Sequence, residues 1–292
     1  PGHLVVRAEG TVYGIHETFD GGENWSFIPG PTPNAFESGG QALVAFDASG
    51  SILLYRPRLR VRDGGAWIEL DPSSGPGQSV SAVVASQSDP DLLFATTESS
   101  SGDSISRSVD GGLTWTSAQY CTSGSGADCL IDSIDELFLV ERAGLPHRLV
   151  LLWSSADRIA YTDDGGLTLT DISSVGQTHV VGRSLRNGNH LMYRRGFDSY
   201  RTSDGFDTVD APISAPLVAR CLAVSAEDPD LAIGAFRTGG NGSPLLFARS
   251  DDAGATWTRE PGWATGAMAC GSVEISPDGT HGLLAPELGL CR

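Results

Sequence analysis

Lysine is absent: all 19 basic residues of the 292-residue chain are arginines, and they face 36 acids, 24 Asp and 12 Glu, for a formal net charge of −17. An imbalance of that sign repels phosphate backbones and anionic lipid headgroups, whose recognition needs clustered positive charge, so neither nucleic acid nor a membrane is expected as a partner. Long hydrophobic runs are missing as well. No apolar stretch approaches the ~18 residues that span a bilayer, and Pro1-Gly2-His3-Leu4 carries neither a start Met nor a secretory h-region. A soluble chain in processed or trimmed form is the expectation. No segment sustains the i, i+3, i+4, i+7 apolar spacing of an amphipathic helix. The five cysteines, Cys121, Cys129, Cys221, Cys270 and Cys291, show no CxxC or Cys/His spacing, and the six histidines are scattered, so no metal site and no cofactor is expected. The Gly-x-Ser-x-Gly elbow that exposes a nucleophilic serine is missing too.

What is abundant is turn chemistry. Gly at 37, Pro at 16 and the twofold excess of Asp over Glu suit a chain of many turns, because the short Asp side chain accepts hydrogen bonds from nearby backbone N–H groups. One octapeptide recurs. Ser108-Val109-Asp110-Gly111-Gly112-Leu113-Thr114-Trp115 and Ser250-Asp251-Asp252-Ala253-Gly254-Ala255-Thr256-Trp257 both read S-x-D-x-G-x-T-W; Thr18 to Trp25 and Thr162 to Leu169 fit with substitutions at the ends. Thr202 to Val209 has Phe206 for Gly, and Arg60 to Trp67 keeps only Gly64 and Trp67, with Asp63 one place late. The last positions, 25, 67, 115, 169, 209 and 257, are 42, 48, 54, 40 and 48 residues apart, a period that fits one propeller blade. A second motif lies between them: Ala85-Ser86-Gln87-Ser88-Asp89-Pro90-Asp91-Leu92 matches Val224-Ser225-Ala226-Glu227-Asp228-Pro229-Asp230-Leu231, each joining two apolar runs. Similar polar turns occur at 47–50, 143–146, 186–189 and 277–280, and β-branched and aromatic runs of four to eight residues fill the gaps. The chain is read as all-β.

These octapeptides resemble the Asp-box, or BNR, repeat of sialidases, sortilin-like receptors and related β-propellers, over nearly the whole chain. The resemblance implies a propeller of four-stranded antiparallel blades with the box as the turn between the third and fourth strands. In that turn Asp closes onto backbone N–H groups and Thr, Gly permits positive φ, and Trp packs on the neighbouring sheet. Structural roles are therefore assigned to Asp20, Trp25, Asp110, Trp115, Asp164, Asp204, Asp252 and Trp257. Six box turns interleaved with six hairpin turns predict six blades in one domain over residues 1–292, with N- and C-terminal strands sharing the closing blade; seven blades is the alternative. Leu4 to Ala8 and Gly282 to Ala285 compete for one strand position in that scheme.

For chemistry, a sialidase needs three Arg converging on a carboxylate, a Tyr–Glu nucleophile pair and an acid/base Asp. The family's Arg-Ile-Pro motif before the first box is missing, and Tyr55-Arg56-Pro57 echoes it only faintly, after that box. Tyr193-Arg194-Arg195 and Tyr200-Arg201 have only Asp198 and Asp204 nearby. No catalytic residue is assigned. Arg56, Arg58, Arg60 and Arg62 alternate with Pro57, Leu59 and Val61, so on one strand the four guanidiniums share a face: a solvated face paired with acids, or a patch for an anionic glycan or acidic protein. Cys121 and Cys129 flank a Ser/Gly-rich segment and read as a stapled loop; Cys221 and Cys270 fall in the first strands of consecutive blades and read as a second bridge. Together these features predict a secreted, cell-surface or periplasmic propeller that binds a protein or glycan without doing chemistry, with an extracellular, sialidase-like glycoside hydrolase as the alternative.

Overall fold

The computed structural model describes residues 4–8, 14–20, 23–28, 43–46, 52–55, 59–63, 66–70, 79–86, 88–98, 104–119, 134, 136–142, 144–153, 158–172, 178–183, 191–195, 198–208, 212–213, 218–225, 228, 230–237, 245–259, 270–275 and 282–286. All regular structure among them is β, in antiparallel sheets of sequence-consecutive strands. The first sheet has three strands, β1 (Leu4–Ala8), β2 (Gly14–Thr18) and β3 (Ser26–Ile28). Five sheets have four each. They are β4 (Leu43–Phe46), β5 (Ile52–Tyr55), β6 (Leu59–Asp63) and β7 (Ala66–Leu70); β8 (Ser79–Ala85), β9 (Leu93–Glu98), β10 (Ser104–Ser108) and β11 (Thr116–Gln119); β12 (Glu136–Val140), β13 (Arg148–Trp153), β14 (Arg158–Thr162) and β15 (Thr170–Asp171); β16 (Thr178–Arg183), β17 (Leu191–Arg195), β18 (Asp198–Thr202) and β19 (Pro212–Ile213); β20 (Val218–Val224), β21 (Ala232–Arg237), β22 (Leu245–Ser250) and β23 (Thr258–Arg259). A two-stranded sheet, β24 (Cys270–Ile275) and β25 (Gly282–Pro286), comes last.

The expected shared closing blade is not formed among the described residues. Leu4 to Ala8 pairs with the adjacent run, Leu4 opposite Thr18 and Ala8 opposite Gly14, and so takes the position beside β2 for which it competes with Gly282 to Ala285. Closing a short local hairpin costs less chain entropy than recruiting a strand from the other end of the chain. Gly282–Pro286 instead pairs with β24. Among the described residues the strands form seven separate sheets.

Two compact units are distinguished. The first comprises Pro1–Leu139, Gly144–Ala156 and Ala160–Ile172; the second comprises Val140–Ala143, Asp157–Ile159 and Ser173–Arg292. In the first unit, Phe94 and Ile105 of β9 and β10 pack with Leu149, Leu151 and Trp153 of β13, and Leu169 covers their edge. All six residues of β13 are buried, which explains why Arg148-Leu149-Val150-Leu151-Leu152-Trp153 reads as an unbroken run rather than an alternation. A second cluster joins Leu59 and Leu70 to Val80, Val83, Leu93 and Ala95, with Trp115 against it. In the second unit, Leu222, Val224, Phe236 and Ala248 form a cluster that carries Trp257, whose ring meets Phe236 edge-on at 4.8 Å.

Four first strands share an irregularity the sequence did not announce. In β8, β16, β20 and β24 the register slips by one residue, between Val80 and Ala82, Val180 and Gly182, Ala219 and Cys221, and Cys270 and Ser272. A bulge of this kind bends a strand and increases its twist.

Candidate protein-binding surface

Five of the six octapeptides close by one network. In the third, the Ser108 hydroxyl donates to Asp110 Oδ1 and accepts from the Gly112 N–H, both at 2.8 Å; the Thr114 N–H donates to the same Oδ1 at 2.8 Å, and its hydroxyl donates to Oδ2 at 2.5 Å. The same four bonds recur around Asp164, Asp204 and Asp252. Around Asp20, the amide and N–H of Asn24 replace the threonine donors, at 2.7 and 2.9 Å. The segment Thr202 to Thr208 thus forms the full turn despite Phe206, which takes φ 73° in place of glycine and is buried. Arg60 to Trp67 does not. Asp63 pairs with Ala66 and Arg62 with Trp67, so β6 and β7 run on to within two residues of each other and leave no room for the longer turn.

Donors converging on a carboxylate stabilise its charged form. The Asn24 N–H and the Thr18 hydroxyl hold Asp20 well below the usual carboxylate range, and the Thr114 and Thr256 hydroxyls lead the lowering of Asp110 and Asp252. Burial pushes Asp164 and Asp204 up, but the hydroxyls and N–H groups of Thr168 and Thr208 outweigh it, leaving Asp164 at about 2. A carboxyl ionised at neutral pH and already accepting three bonds is no proton donor, so these residues are not general acids. The neighbouring acids are engaged as well: Arg148, buried and 3.8 Å from the centroid of Tyr161, clasps Asp163 through Nε and Nη2 at 2.8 and 2.9 Å, and Arg249 Nε meets Asp251 at 2.8 Å.

The two recurrent motifs meet. In the sheet β8–β11 the Gly111 N–H donates to the Asp91 carbonyl at 3.0 Å, and in β20–β23 the Ala253 N–H donates to the Asp230 carbonyl at 2.7 Å. Trp115 and Trp257 each donate from Nε1 to the carbonyl of the box glycine, Gly112 or Gly254, at 2.9 and 3.0 Å. Trp25 is 40% exposed.

The described first and fifth positions of these boxes are buried, and side chains project outward from several of the others. Second positions include Phe19 and Val109, and sixth positions include Leu113 and Leu167, 80% and 76% exposed. The third and fourth boxes are neighbours, since a Cβ at Gly166 would lie 2.9 Å from the Cβ of Ile105 on β10, and β10 runs directly into the third box. Leu145, also exposed, lies in the turn before β13 of the sheet that carries the fourth box. Sequence reasoning missed this surface because it weighed the constant positions of the repeat and not the variable ones.

Of the arginine stripe, Arg56 and Arg58 lie outside the described residues. β5 ends at Tyr55 and β6 begins at Leu59; on β6, Arg60 is opposite Glu69 and Arg62 opposite Trp67. Cys121, Cys129, Cys291 and the segment between the first two also lie outside the described residues. Cys221 and Cys270 stand at the bulges of β20 and β24. Arg201, weighed as a carboxylate-binding arginine, donates from Nη1 to the Ala253 carbonyl at 3.3 Å.

No protein-family model matches the sequence, and no curated protein does. Solved structures do. A YCF48 bound to a D1 peptide is 17% identical with a TM-score of 0.65, covering 97% of this chain and 86% of that one. YCF48 from Cyanidioschyzon merolae is 17% identical with a TM-score of 0.63, covering 98% and 89%. A streptogramin B lyase is 14% identical with a TM-score of 0.60, covering 98% and 90%. These are β-propellers, and with its four-stranded antiparallel sheets the chain has a β-propeller fold.

Proposed function

We propose that this propeller is a binding protein that does no chemistry, secreted or held at the cell surface, and that its ligand is a protein. The observation that carries this reading is the division of labour within the boxes: the carboxylates of Asp20, Asp110, Asp164, Asp204 and Asp252 are taken up by their own turns, while large apolar side chains stand exposed on the first three of those turns. An exposed aliphatic side chain supplies no proton or nucleophile to a hydrolysis, and it gains when a partner covers it. The YCF48 structure with a bound peptide is an instance of a similar fold engaging protein. The reading takes residues 1–292 as one propeller domain of Asp-box type, and of the two blade counts it takes seven, in keeping with the seven sheets among the described residues. It also takes Cys121–Cys129 and Cys221–Cys270 as bridges. A panel of chromogenic glycosides, run beside a glycan array and a screen of immobilised peptides, tests the reading. Peptide binding with no glycoside turned over is the expected result; hydrolysis of a glycoside would overturn it.

A further inference from the structure

Within the chain the boxes are a natural substitution series. Their sixth positions are Glu23, Leu113, Leu167, Asp207 and Ala255, all exposed, so the turn itself has no need of an apolar residue there. Leu113 and Leu167 nonetheless occupy two neighbouring turns, with Val109 beside the first. Around them the described charges are almost all negative. Asp89 and Asp91 lie exposed in the turn hydrogen-bonded to the third box, and Asp164 and Asp171 lie exposed in and just after the fourth; against these four acids stands the exposed Arg107, whose Cδ would lie 3.9 Å from a Cβ at Gly165 of the fourth box.

We propose that the third and fourth boxes form a docking surface for a cationic, amphipathic segment of a partner protein, with aliphatic side chains on Leu113, Val109 and Leu167 and Lys or Arg reaching Asp89, Asp91 and Asp164. This rests on the protein-binding reading above and names the chemistry of its partner. Charge complementarity selects the occupant: a net charge of −17 opposes both a second copy of this chain and an anionic lipid surface. Asp164 is exposed and keeps its charge at neutral pH, so it attracts an incoming cation even though its own turn already donates to it.

The test is fluorescence anisotropy of the full chain with a short labelled peptide in which Leu and Arg alternate, against a Leu/Glu and a Ser/Arg counterpart, at physiological salt. The Leu/Arg peptide is expected to bind. The L113S/L167S pair should weaken it by about tenfold or more, whereas Ala255→Ser, at the equivalent place in the sixth box, should leave it unchanged. Both leucines are largely exposed, and matched circular dichroism melts confirm that the variant folds. Equal binding of the Leu/Glu peptide, indifference to L113S/L167S, or equal binding of the Ser/Arg peptide would overturn the proposal. So would a dimer, or vesicle binding, that is lost in L113S/L167S, since either assigns the patch to another occupant. Any of these results together with a positive peptide screen and silent glycosides would leave the binding reading standing; glycoside turnover would remove that reading itself.

Discussion

Gly166→Ala tests how the box is seated. Gly166 has φ +103°, and a Cβ built there would lie 2.9 Å from both Cβ and Cδ1 of Ile105 and 3.4 Å from its Cγ1. Two penalties follow. Left-handed backbone costs an L-residue about 1–2 kcal/mol, and forcing a methyl into a packed site costs about 1–3 kcal/mol. Ile105 has no escape, being fully buried, β-branched and paired on both sides by β9 and β11. The expected loss is therefore about 2–5 kcal/mol. Gly144→Ala is the control: φ is +73° but nothing lies within 4 Å of the new Cβ, so only the backbone term of about 1–2 kcal/mol applies. Urea unfolding followed by tryptophan fluorescence and circular dichroism reads both, as shifts in midpoint at constant slope. Adding Ile105→Val to Gly166→Ala removes Cδ1, one of the two closest atoms, and should cost less than the roughly 0.5–1.5 kcal/mol that this truncation costs alone. If Gly166→Ala is no worse than Gly144→Ala, the seating of the fourth box on β10 is wrong.

The other expectations concern the turns, the sulfur and the arginines. Because Asp20, Asp110, Asp164, Asp204 and Asp252 have folded-state values below the ordinary 3.8, their stabilisation is present above that value and lost as pH falls through the folded ones; midpoints in urea should hold from neutrality to about 4 and decline from there to about 2 and below, and Asp164→Asn should flatten part of the decline. A midpoint that rises over that interval would contradict the hydrogen-bond assignment. Trp257→Phe loses the bond to the Gly254 carbonyl and should cost about 0.5–1.5 kcal/mol, whereas Trp257→Ala also forfeits packing on Phe236 and should cost about 2–4 kcal/mol by thermal melts. Thiol titration of the denatured, unreduced chain should find about one free thiol, from five cysteines less two bridges; five free thiols would refute both pairs. Should the Arg56, Arg58, Arg60 and Arg62 stripe bind an anionic ligand, its affinity would fall with salt and with Arg→Ala changes there, and salt-independent binding would eliminate the stripe.

Turns of the box type were legible because their chemistry is local. Every bond to Asp110 comes from a residue two to four positions away, so S-x-D-x-G-x-T-W carries nearly all the information needed to build the turn. The all-β class and the spacing of sheets were readable for the same reason, since alternation and turn residues act over a few residues. Local chemistry did not separate the two weak copies. The turn from Thr202 to Thr208 closes with Phe206 buried at positive φ, and the Arg60 copy fails because β6 and β7 stay paired through Asp63 and Ala66. Strand competition at the ends is also nonlocal: Leu4–Ala8 took the place beside β2 by closing the shorter loop. The bonds from Gly111 to Asp91 and from Ala253 to Asp230 join motifs some twenty residues apart whose pairing no local pattern records. Exposure follows the same rule. Leu113 stands in solvent and Leu169 packs against the cluster that holds Phe94 and Trp153 because burial depends on which sheet lies across from a residue, and only the assembled sheets decide that.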